Sequence, residues 1–236
     1  GRNSLRVRST MMGDIQETDY ALLPITKAAG AVVEITQHQG VIINGKIKAV
    51  LTEDPWSKTG TIAYYNQENR LLLEEQGWHG ALNLYARKFK PILGGDYRLT
   101  VSFESQEEEK LFGMGRYQQE VMDLKYCSLE LAHRNSQASV PFLLSSRGYG
   151  FLWHNPAVGK VTFGKNVTQW ESYSTKQLDY WITAGDTPAE IEEAYAEATG
   201  KVPMMPEYGL GFWQCKLRYW NQEQVLNVAR EYKKRN

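Results

Sequence analysis

Apolar and polar residues alternate along short segments of the first 185 residues of the chain. The segment 97–105, YRLTVSFES, is the clearest case and places Leu99, Val101 and Phe103 on one face of a strand. A second signal is the Asn44-Gly45 pair between the apolar runs of 41–51, which predicts a hairpin with a type I′ turn centred on those two residues. Further strands are predicted over 32–37, 61–66, 141–146, 149–154, 160–164 and 177–185. This spacing of short strands, with Gly-rich turns between them, is typical of an antiparallel β-sandwich.

The pattern changes from strands to helices at residue 186. Asp186, as a capping residue, and Pro188 predict the start of a helix that runs to Thr199 and is ended by Gly200. The two prolines of 201–209 indicate a linker, and the apolar segment LGFW (210–213) predicts a strand that is buried on both faces. We therefore expect a sandwich over 1–185, a helix and linker over 186–208, and a different domain from 209 onward.

A helix is also predicted beyond that strand. Asn221 is placed to cap it, and Val225, Leu226, Ala229 and Tyr232 form one apolar face. A doubly buried strand followed by an amphipathic helix is the first βα unit of a parallel sheet, such as a (β/α)8 barrel. One unit cannot bury such a strand, so we expect residues 209–236 to be the start of an incomplete barrel, in a chain that is a fragment.

Composition narrows the class of protein. Hydrophobic residues make up 42% of the chain, which is enough for a packed core. Lys+Arg and Asp+Glu both number 27, so a broad phosphate-binding surface is not expected and nucleic acid is excluded as the main partner. No apolar run approaches the length of a membrane span. The 7 Trp and 14 Tyr suit either a sandwich core or a surface on which sugars stack.

Cysteine and histidine give little sign of redox or metal chemistry. Cys127 and Cys215 form no disulfide framework, and the four histidines lack metal-ligand spacing. We expect no metal and no cofactor. A cytoplasmic or periplasmic location in a bacterium is compatible with this composition, and the sequence does not choose between them.

Several blocks of the chain resemble glycoside hydrolase family 31, the α-glucosidases and α-xylosidases. The blocks are LFGMGR (111–116), VPFLLSSRGYG (140–150), DYW (179–181), GDTP (185–188) and the long stretch from GLGFWQCKLRYWNQ onward (209–236). They cover about residues 97–236 in order and spacing, and the last block is most similar to the bacterial α-xylosidase branch.

The resemblance implies a galactose-mutarotase-like antiparallel β-sandwich followed by the first βα unit of a truncated (β/α)8 barrel. It also implies retaining hydrolysis of terminal α-xylosyl or α-glucosyl residues from oligosaccharides by a pair of aspartates. Family members carry these aspartates on later barrel strands, so no catalytic residue is expected within residues 1–236 and the chain alone is expected to be inactive. Among the aspartates present, Asp186 is interpreted as a cap, and Asp123 as a loop acid or an acid near the active site.

The resemblance also implies substrate-binding residues. The end of the first barrel strand corresponds to 216–219, where we favour Arg218 and Tyr219. The family sends a sandwich loop carrying an Asp over the barrel mouth, but the corresponding stretch, ELAHRNSQASVPF (130–142), has no Asp. Asn135 or His133 is expected to replace it.

Two interpretations remain open from the sequence. The first is the N-terminal part of an α-glycosidase, whose partners are an oligosaccharide and the remainder of the barrel. If the remainder of the barrel is missing, the uncovered apolar face of residues 209–236 is expected to form a contact between two copies of the chain. The alternative is a non-catalytic carbohydrate-binding β-sandwich, which accounts for the aromatic residues but not for the strand and helix beyond residue 209.

Overall fold

The computed structural model describes residues 1–24, 30–54, 59–77 and 85–235. Its strands are β1 Ser4–Thr10, β2 Val32–Ile35, β3 Gln39–Asn44, β4 Ile47–Glu53, β5 Gly60–Tyr65, β6 Leu71–Glu74, β7 Arg87–Pro91, β8 Tyr97–Glu104, β9 Leu111–Arg116, β10 Ser128–Leu131, β11 Ala138–Ser145, β12 Tyr149–Trp153, β13 Gly159–Phe163, β14 Val167–Thr175 and β15 Gln177–Ala184. The helices are α1 Pro188–Thr199, a 3-10 turn Glu207–Leu210 and α2 Gln222–Arg235. The described chain divides into two compact units, Gly1–Lys201 and Val202–Asn236.

The first unit is built from three antiparallel sheets of five strands. Their orders are β1-β15-β12-β11-β9, β10-β13-β14-β8-β7 and β2-β3-β4-β5-β6. The mainly β, antiparallel sandwich fold expected from the sequence is confirmed. Every predicted strand within residues 1–185 is present, whereas β1, β6, β7, β9, β10 and β14 were not predicted.

All three sheets contribute to a single aromatic core. Leu99, Val101 and Phe103 of β8 are fully buried, as their alternation predicted. Phe103 packs edge-on against Phe151 of β12 with 5.5 Å between ring centroids, and Phe151 lies 5.0 Å from Trp170 of β14. Core packing accounts for part of the tryptophan and tyrosine content, because six of these residues are buried: Trp153, Trp170, Trp181, Tyr64, Tyr149 and Tyr180.

Strand β15 is buried along its whole length, because the sheet to which it belongs is covered on both faces. Leu178, Tyr180 and Ile182 belong to the main core, while Trp181 packs with Ile191 of α1 in a second cluster. Helix α1 is fixed there by its only fully buried residue, Ile191. A Tyr195–Phe142 ring stack at 4.0 Å adds to this contact.

The hairpin predicted within 41–51 is present, but the type I′ turn is wrong. Asn44 pairs with Ile47, so the central residues are Gly45 and Lys46, and only Gly45 has positive φ, at 59°. Asn44 remains in the strand because its buried side-chain amide donates hydrogen bonds to the carbonyls of Gly1 and Ser4 at 2.9 and 2.8 Å. These tertiary bonds hold the residue that the local pattern assigned to the turn.

The first predicted helix begins one residue later than expected. The N-cap is Thr187, whose hydroxyl accepts a hydrogen bond from the Glu190 amide, and Gly200 ends the helix as predicted. Asp186 instead forms an ion pair with Lys46 on the β3–β4 turn at 2.5 Å. This ion pair with a residue distant in sequence explains why Asp186 is not the cap.

The second unit contains α2 but no described strand. Asn221 caps α2 as expected, since its Oδ1 accepts a hydrogen bond from the Gln224 amide at 3.0 Å. The strand predicted over 210–213 is wrong, because Glu207–Leu210 is a 3-10 turn and 211–220 is irregular. A parallel strand takes its hydrogen bonds from neighbouring strands, and the described residues offer it none.

Candidate functional site

His133 and Asn135 lie on the turn that connects β10 to β11 in the first unit. Arg134 and Gln137 form an isolated bridge, the Gln137 amide donates to the Arg134 carbonyl at 3.0 Å, and Ser136 has positive φ. Asn135 is therefore at the exposed tip of a tight four-residue turn. Within the described chain its side-chain amide has no hydrogen-bond partner, so it is free to bind a ligand.

The ring of His133 supports the same turn. The Ser139 amide donates to His133 Nδ1 at 3.3 Å, which makes Nδ1 the unprotonated nitrogen and leaves Nε2–H as a donor at the surface. Asn135 and His133 thus present an amide and an N–H donor within one exposed loop. Such groups suit sugar hydroxyls, and neither is a carboxyl group of the kind that retaining glycosidases use.

Residues that the sequence did not single out hold this turn in place. Arg116, at the end of the LFGMGR block, donates to the Ser136 carbonyl at 2.7 Å. Arg134 binds both carboxylate oxygens of Glu130 at 2.9 and 2.6 Å, and these hydrogen bonds lower the pKa of Glu130. Tyr117 bridges the Glu130 carbonyl and the Ser139 hydroxyl. The only sequence signal for these roles is the position of Arg116 and Tyr117 next to a glycine-rich strand.

Arg218 and Tyr219 lie in the irregular segment before α2 in the second unit. The Arg218 guanidinium stacks over the Trp220 ring at 5.1 Å and is otherwise exposed. The Tyr219 hydroxyl accepts a hydrogen bond from Gln214 Nε2 at 3.0 Å, and Gln214 Oε1 accepts one from the Tyr232 hydroxyl of α2 at 2.8 Å. The segment therefore combines a cation, hydroxyl groups and aromatic faces, which are the elements of a sugar-binding surface.

The two pairs of candidate residues belong to different units. His133 and Asn135 lie within Gly1–Lys201, and Arg218 and Tyr219 within Val202–Asn236. Each pair is close within its own segment. Their assignment to substrate remains a prediction from the resemblance.

The aspartates considered from the sequence have structural partners. Asp123 Oδ1 accepts the amides of Leu111 and Lys125, both at 3.0 Å, so it fixes the loop after β9. Asp179 is buried and bonded to Arg6 and His154.

Among the described residues, no group of three or more His, Cys, Asp or Glu is placed to hold a metal ion, and Cys127 and Cys215 are free thiols. Neither described α-helix has both the length and the apolar character that crossing a bilayer would require.

Comparison with known proteins identifies the family. Residues 202–236 match the model of the glycosyl hydrolases family 31 TIM-barrel domain. The whole chain is 49% identical to the uncharacterized family 31 glucosidase ORF2 of Pseudescherichia vulneris, of which it covers 47%. The chain belongs to glycoside hydrolase family 31. It spans about half of that relative's length.

Two further relatives of this family 31 chain are named as α-xylosidases. An α-xylosidase of Saccharolobus solfataricus is 31% identical over 148 residues, which are 59% of this chain and 20% of that protein. The crystal structure of a family 31 α-xylosidase from a soil metagenome, complexed with xylose, is 48% identical with a TM-score of 0.89. That match covers 99% of this chain and 36% of the other, so the fold described above is the one found in the metagenomic enzyme.

Proposed function

We propose that this chain is the N-terminal part of a retaining α-glycosidase that removes terminal α-xylosyl or α-glucosyl residues from oligosaccharides. The observation that carries the proposal is the similarity over 99% of the chain to an α-xylosidase whose structure holds xylose. In this proposal the first unit is the sandwich of the enzyme, and the second unit is the start of its catalytic barrel.

Retaining hydrolysis requires two carboxyl groups about 5 to 5.5 Å apart, one as nucleophile and one as acid. The buried carboxylates of the described chain already have structural partners. Glu75 binds Arg87 at 2.8 and 2.6 Å, Asp179 binds Arg6, and Glu109 accepts from Ser145 and Tyr149. We therefore propose that the catalytic carboxylates lie on barrel strands outside residues 1–236, and that these 236 residues alone do not hydrolyse glycosides.

The surface of the second unit supports its role as a barrel segment. Phe212, Trp213 and Leu217 are 77%, 73% and 97% exposed, and the apolar face of α2 is uncovered as well. Apolar side chains in such number normally mark an interface. In a (β/α)8 barrel they would be covered by the neighbouring strands and helices, so the remainder of the barrel is the partner we propose.

Within that enzyme, we propose that Arg218 and Tyr219 form one wall of the sugar subsite, and that Asn135 and His133 contribute from the sandwich loop. The Arg218–Trp220 stack holds a flat cation at the surface, while the second face of the indole can support a pyranose ring. No Asp or Glu occurs in 211–221 or 132–137, so neither segment supplies a carboxyl group for the retaining mechanism, and we propose that both bind and orient substrate.

The first test is hydrolysis of p-nitrophenyl α-xyloside and p-nitrophenyl α-glucoside. We expect the longest product of the encoding gene to cleave at least one of them with retention, and the 236-residue chain to cleave neither. Turnover by the 236-residue chain would show that its own carboxylates perform the chemistry. Failure of both proteins would contradict the proposed activity.

The second test concerns the subsite in the active protein. We expect Arg218→Met to lower kcat/KM about tenfold or more, because a hydrogen bond to a charged group is worth about 1.5–3 kcal/mol. Tyr219→Phe should have a smaller effect, since it removes only the hydroxyl. The matched control is Arg2→Met, an exposed arginine of the first unit that should leave kcat/KM unchanged. Equal values for the Arg218 and Arg2 variants would remove Arg218 from the subsite.

The alternative of a free-standing carbohydrate-binding sandwich is weakened by the structure, because the large aromatic residues of the first unit include Trp153, Trp170, Tyr64 and Tyr149 in its core. Calorimetric titration with xylose, glucose and their α-linked oligosaccharides tests this alternative. Micromolar binding that survives deletion of 203–236 would favour the module over the glycosidase.

A further inference from the structure

A polar cleft of about 320 Å³ lies in the first unit, between the N-terminal segment and the loops next to β12 and β15. Its lining includes Gln16, Tyr20, Asp96 and Lys176, with His154 and Gln177 as buried polar groups beneath them. None of these residues is among the candidate substrate-binding residues named above. The volume falls at the lower end of the range of small-molecule sites, about 300–1,000 Å³.

One wall of the cleft is a strap, residues 14–22, which has no regular secondary structure but is fixed to the sheet. Gln177 binds both the amide and the carbonyl of Gln16 through its side chain, at 2.8 and 3.3 Å. His154 Nε2 accepts the amides of Tyr20 and Ala21 at 3.2 and 3.1 Å. The main chain at Gln16 and Tyr20 is therefore held at the cleft by two buried side chains.

The side chains of the strap divide into two sets. Glu17 and Asp19 are bound to Arg8 and Arg6 of β1 at 2.8 and 2.6 Å. The side chains of Gln16 and Tyr20 line the cleft instead, and within the described part of the chain the side-chain amide of Gln16 and the hydroxyl of Tyr20 have no hydrogen-bond partner. The buried side chains of Gln177 and His154 thus fix the main chain at Gln16 and Tyr20, whose own side-chain polar groups are unpaired.

The opposite wall supplies complementary groups. Asp96 uses Oδ2 to accept the Ser174 hydroxyl at 2.6 Å, and its Oδ1 remains available. Lys176 is exposed, and no carboxylate of the described residues pairs with its ammonium group. The cleft therefore presents one acceptor carboxylate, one ammonium donor, one amide and one phenol.

We propose that this cleft binds a neutral polyhydroxylated ligand, a single sugar unit. The opposite charges of Asp96 and Lys176 disfavour a charged ligand, whereas sugar hydroxyls both donate and accept hydrogen bonds. The ring of Tyr20, which is 58% exposed, provides an apolar face for a pyranose. The inference does not depend on the proposed hydrolase activity, since it concerns only the described residues.

The test is to titrate the 236-residue chain separately with xylose, glucose, glucuronate and inorganic phosphate. Binding is monitored by the NMR shifts of amide signals. We expect saturable shifts at the side-chain amides of Gln16, Asn155 and Gln177 with a neutral sugar, at a Kd of about 1–10 mM. Tyr20→Ala should weaken binding about fivefold or more. Lys176→Met should weaken it about threefold.

Two controls keep these variants interpretable. Tyr20→Phe keeps the ring and the anchored main chain, so it should retain most of the affinity. Lys165→Met alters another exposed lysine, on the turn between β13 and β14, and should leave the Kd for sugar unchanged. Absence of saturable shifts up to about 100 mM sugar would overturn the proposal. Equal binding by the Tyr20→Ala and parent chains, or binding of phosphate or glucuronate in place of neutral sugars, would overturn it as well.

Discussion

A buried ion pair joins strands β1 and β15 of the first unit. Arg6 of β1 binds both carboxylate oxygens of Asp179 on β15 at 2.9 and 2.6 Å, and His154 Nδ1 approaches the same carboxylate at 3.2 Å. The Arg6 and Asp179 side chains are only 7% and 3% exposed. Burial acts to raise the pKa of Asp179, but the hydrogen bonds from Arg6 and His154 and the charge of Arg6 outweigh it and hold that pKa below its ordinary value.

Because this pKa is lowered, the free energy of unfolding is expected to fall at acidic pH. The unfolded chain binds a proton at Asp179 more readily than the folded chain, so the stabilisation is complete above the ordinary pKa and is lost as pH falls below about 4. We expect Asp179→Asn to reduce the free energy of unfolding by about 3–5 kcal/mol at neutral pH, because it leaves the Arg6 charge buried without its main partner. The variant should also lose less stability on acidification than the parent, as urea titrations at about pH 6 and about pH 3 would show.

Asp186→Asn is the matched control, because Asp186 also pairs with a cation but is 69% exposed. Its loss should cost less than about 1 kcal/mol. Similar losses for the two variants, or parallel pH dependence of Asp179→Asn and the parent, would contradict the assigned role of the buried pair.

Among the elements, β9 departs most from regular geometry. Gly113, Met114 and Gly115 all have positive φ, and the pairing with β11 is irregular between Ser139 and Leu143. Met114 is nevertheless fully buried in the core. The two glycines of the LFGMGR block are thus explained by a distortion of the strand that turns Met114 inward.

We expect Gly115→Ala to be strongly destabilising. A Cβ at this residue would lie 2.2 Å from the Ala138 carbonyl oxygen and 2.8 Å from the Val140 amide nitrogen, and backbone atoms cannot move aside easily. The loss should exceed about 3 kcal/mol in the free energy of unfolding, measured by urea denaturation. Gly94→Ala is the control, since Gly94 has φ of +99° and an added methyl group there would have no atom within 4 Å. It should cost only about 1–2 kcal/mol from backbone strain, and an equal loss at both positions would rule out the close approach as the cause.

At the scale of the whole molecule, the exposed apolar surface of the second unit has consequences in solution. Phe212, Leu217 and Trp220 are largely exposed, and α2 contributes Val225 and Tyr232 to the uncovered surface. If the rest of the barrel does not cover this surface, copies of the chain should associate through it.

We therefore expect concentration-dependent association of the 236-residue chain in sedimentation velocity, weakened in a Phe212→Ser/Leu217→Ser variant. Met12→Ser changes an equally exposed apolar residue of the first unit and should leave association unchanged. A clean monomer at high concentration would contradict the expectation, and so would association that the double substitution does not alter.

The sequence by itself determined the elements whose signals are local. Alternation at Leu99, Val101 and Phe103 identified β8, and the Asn221 cap with its following apolar positions identified α2. These signals are sufficient because side-chain period and capping chemistry act within a few residues. The motif blocks by themselves indicate family 31, and the comparisons confirm that family.

Only the tertiary structure decided what depends on partners distant in sequence. Asn44 stays in β3 because of Gly1 and Ser4, and Asp186 pairs with Lys46 in place of capping α1. Glu109 belongs to the acidic run ESQEEEK (104–110), which by composition alone is typical of a solvated loop, yet it is buried and its carboxylate accepts hydrogen bonds from Ser145 and Tyr149. The apolar segment 210–213 forms no strand, since a strand needs hydrogen-bonding neighbours as well as apolar residues. Contacts between distant residues decide the first three cases, and the lack of such contacts among the described residues decides the last; no local pattern encodes either.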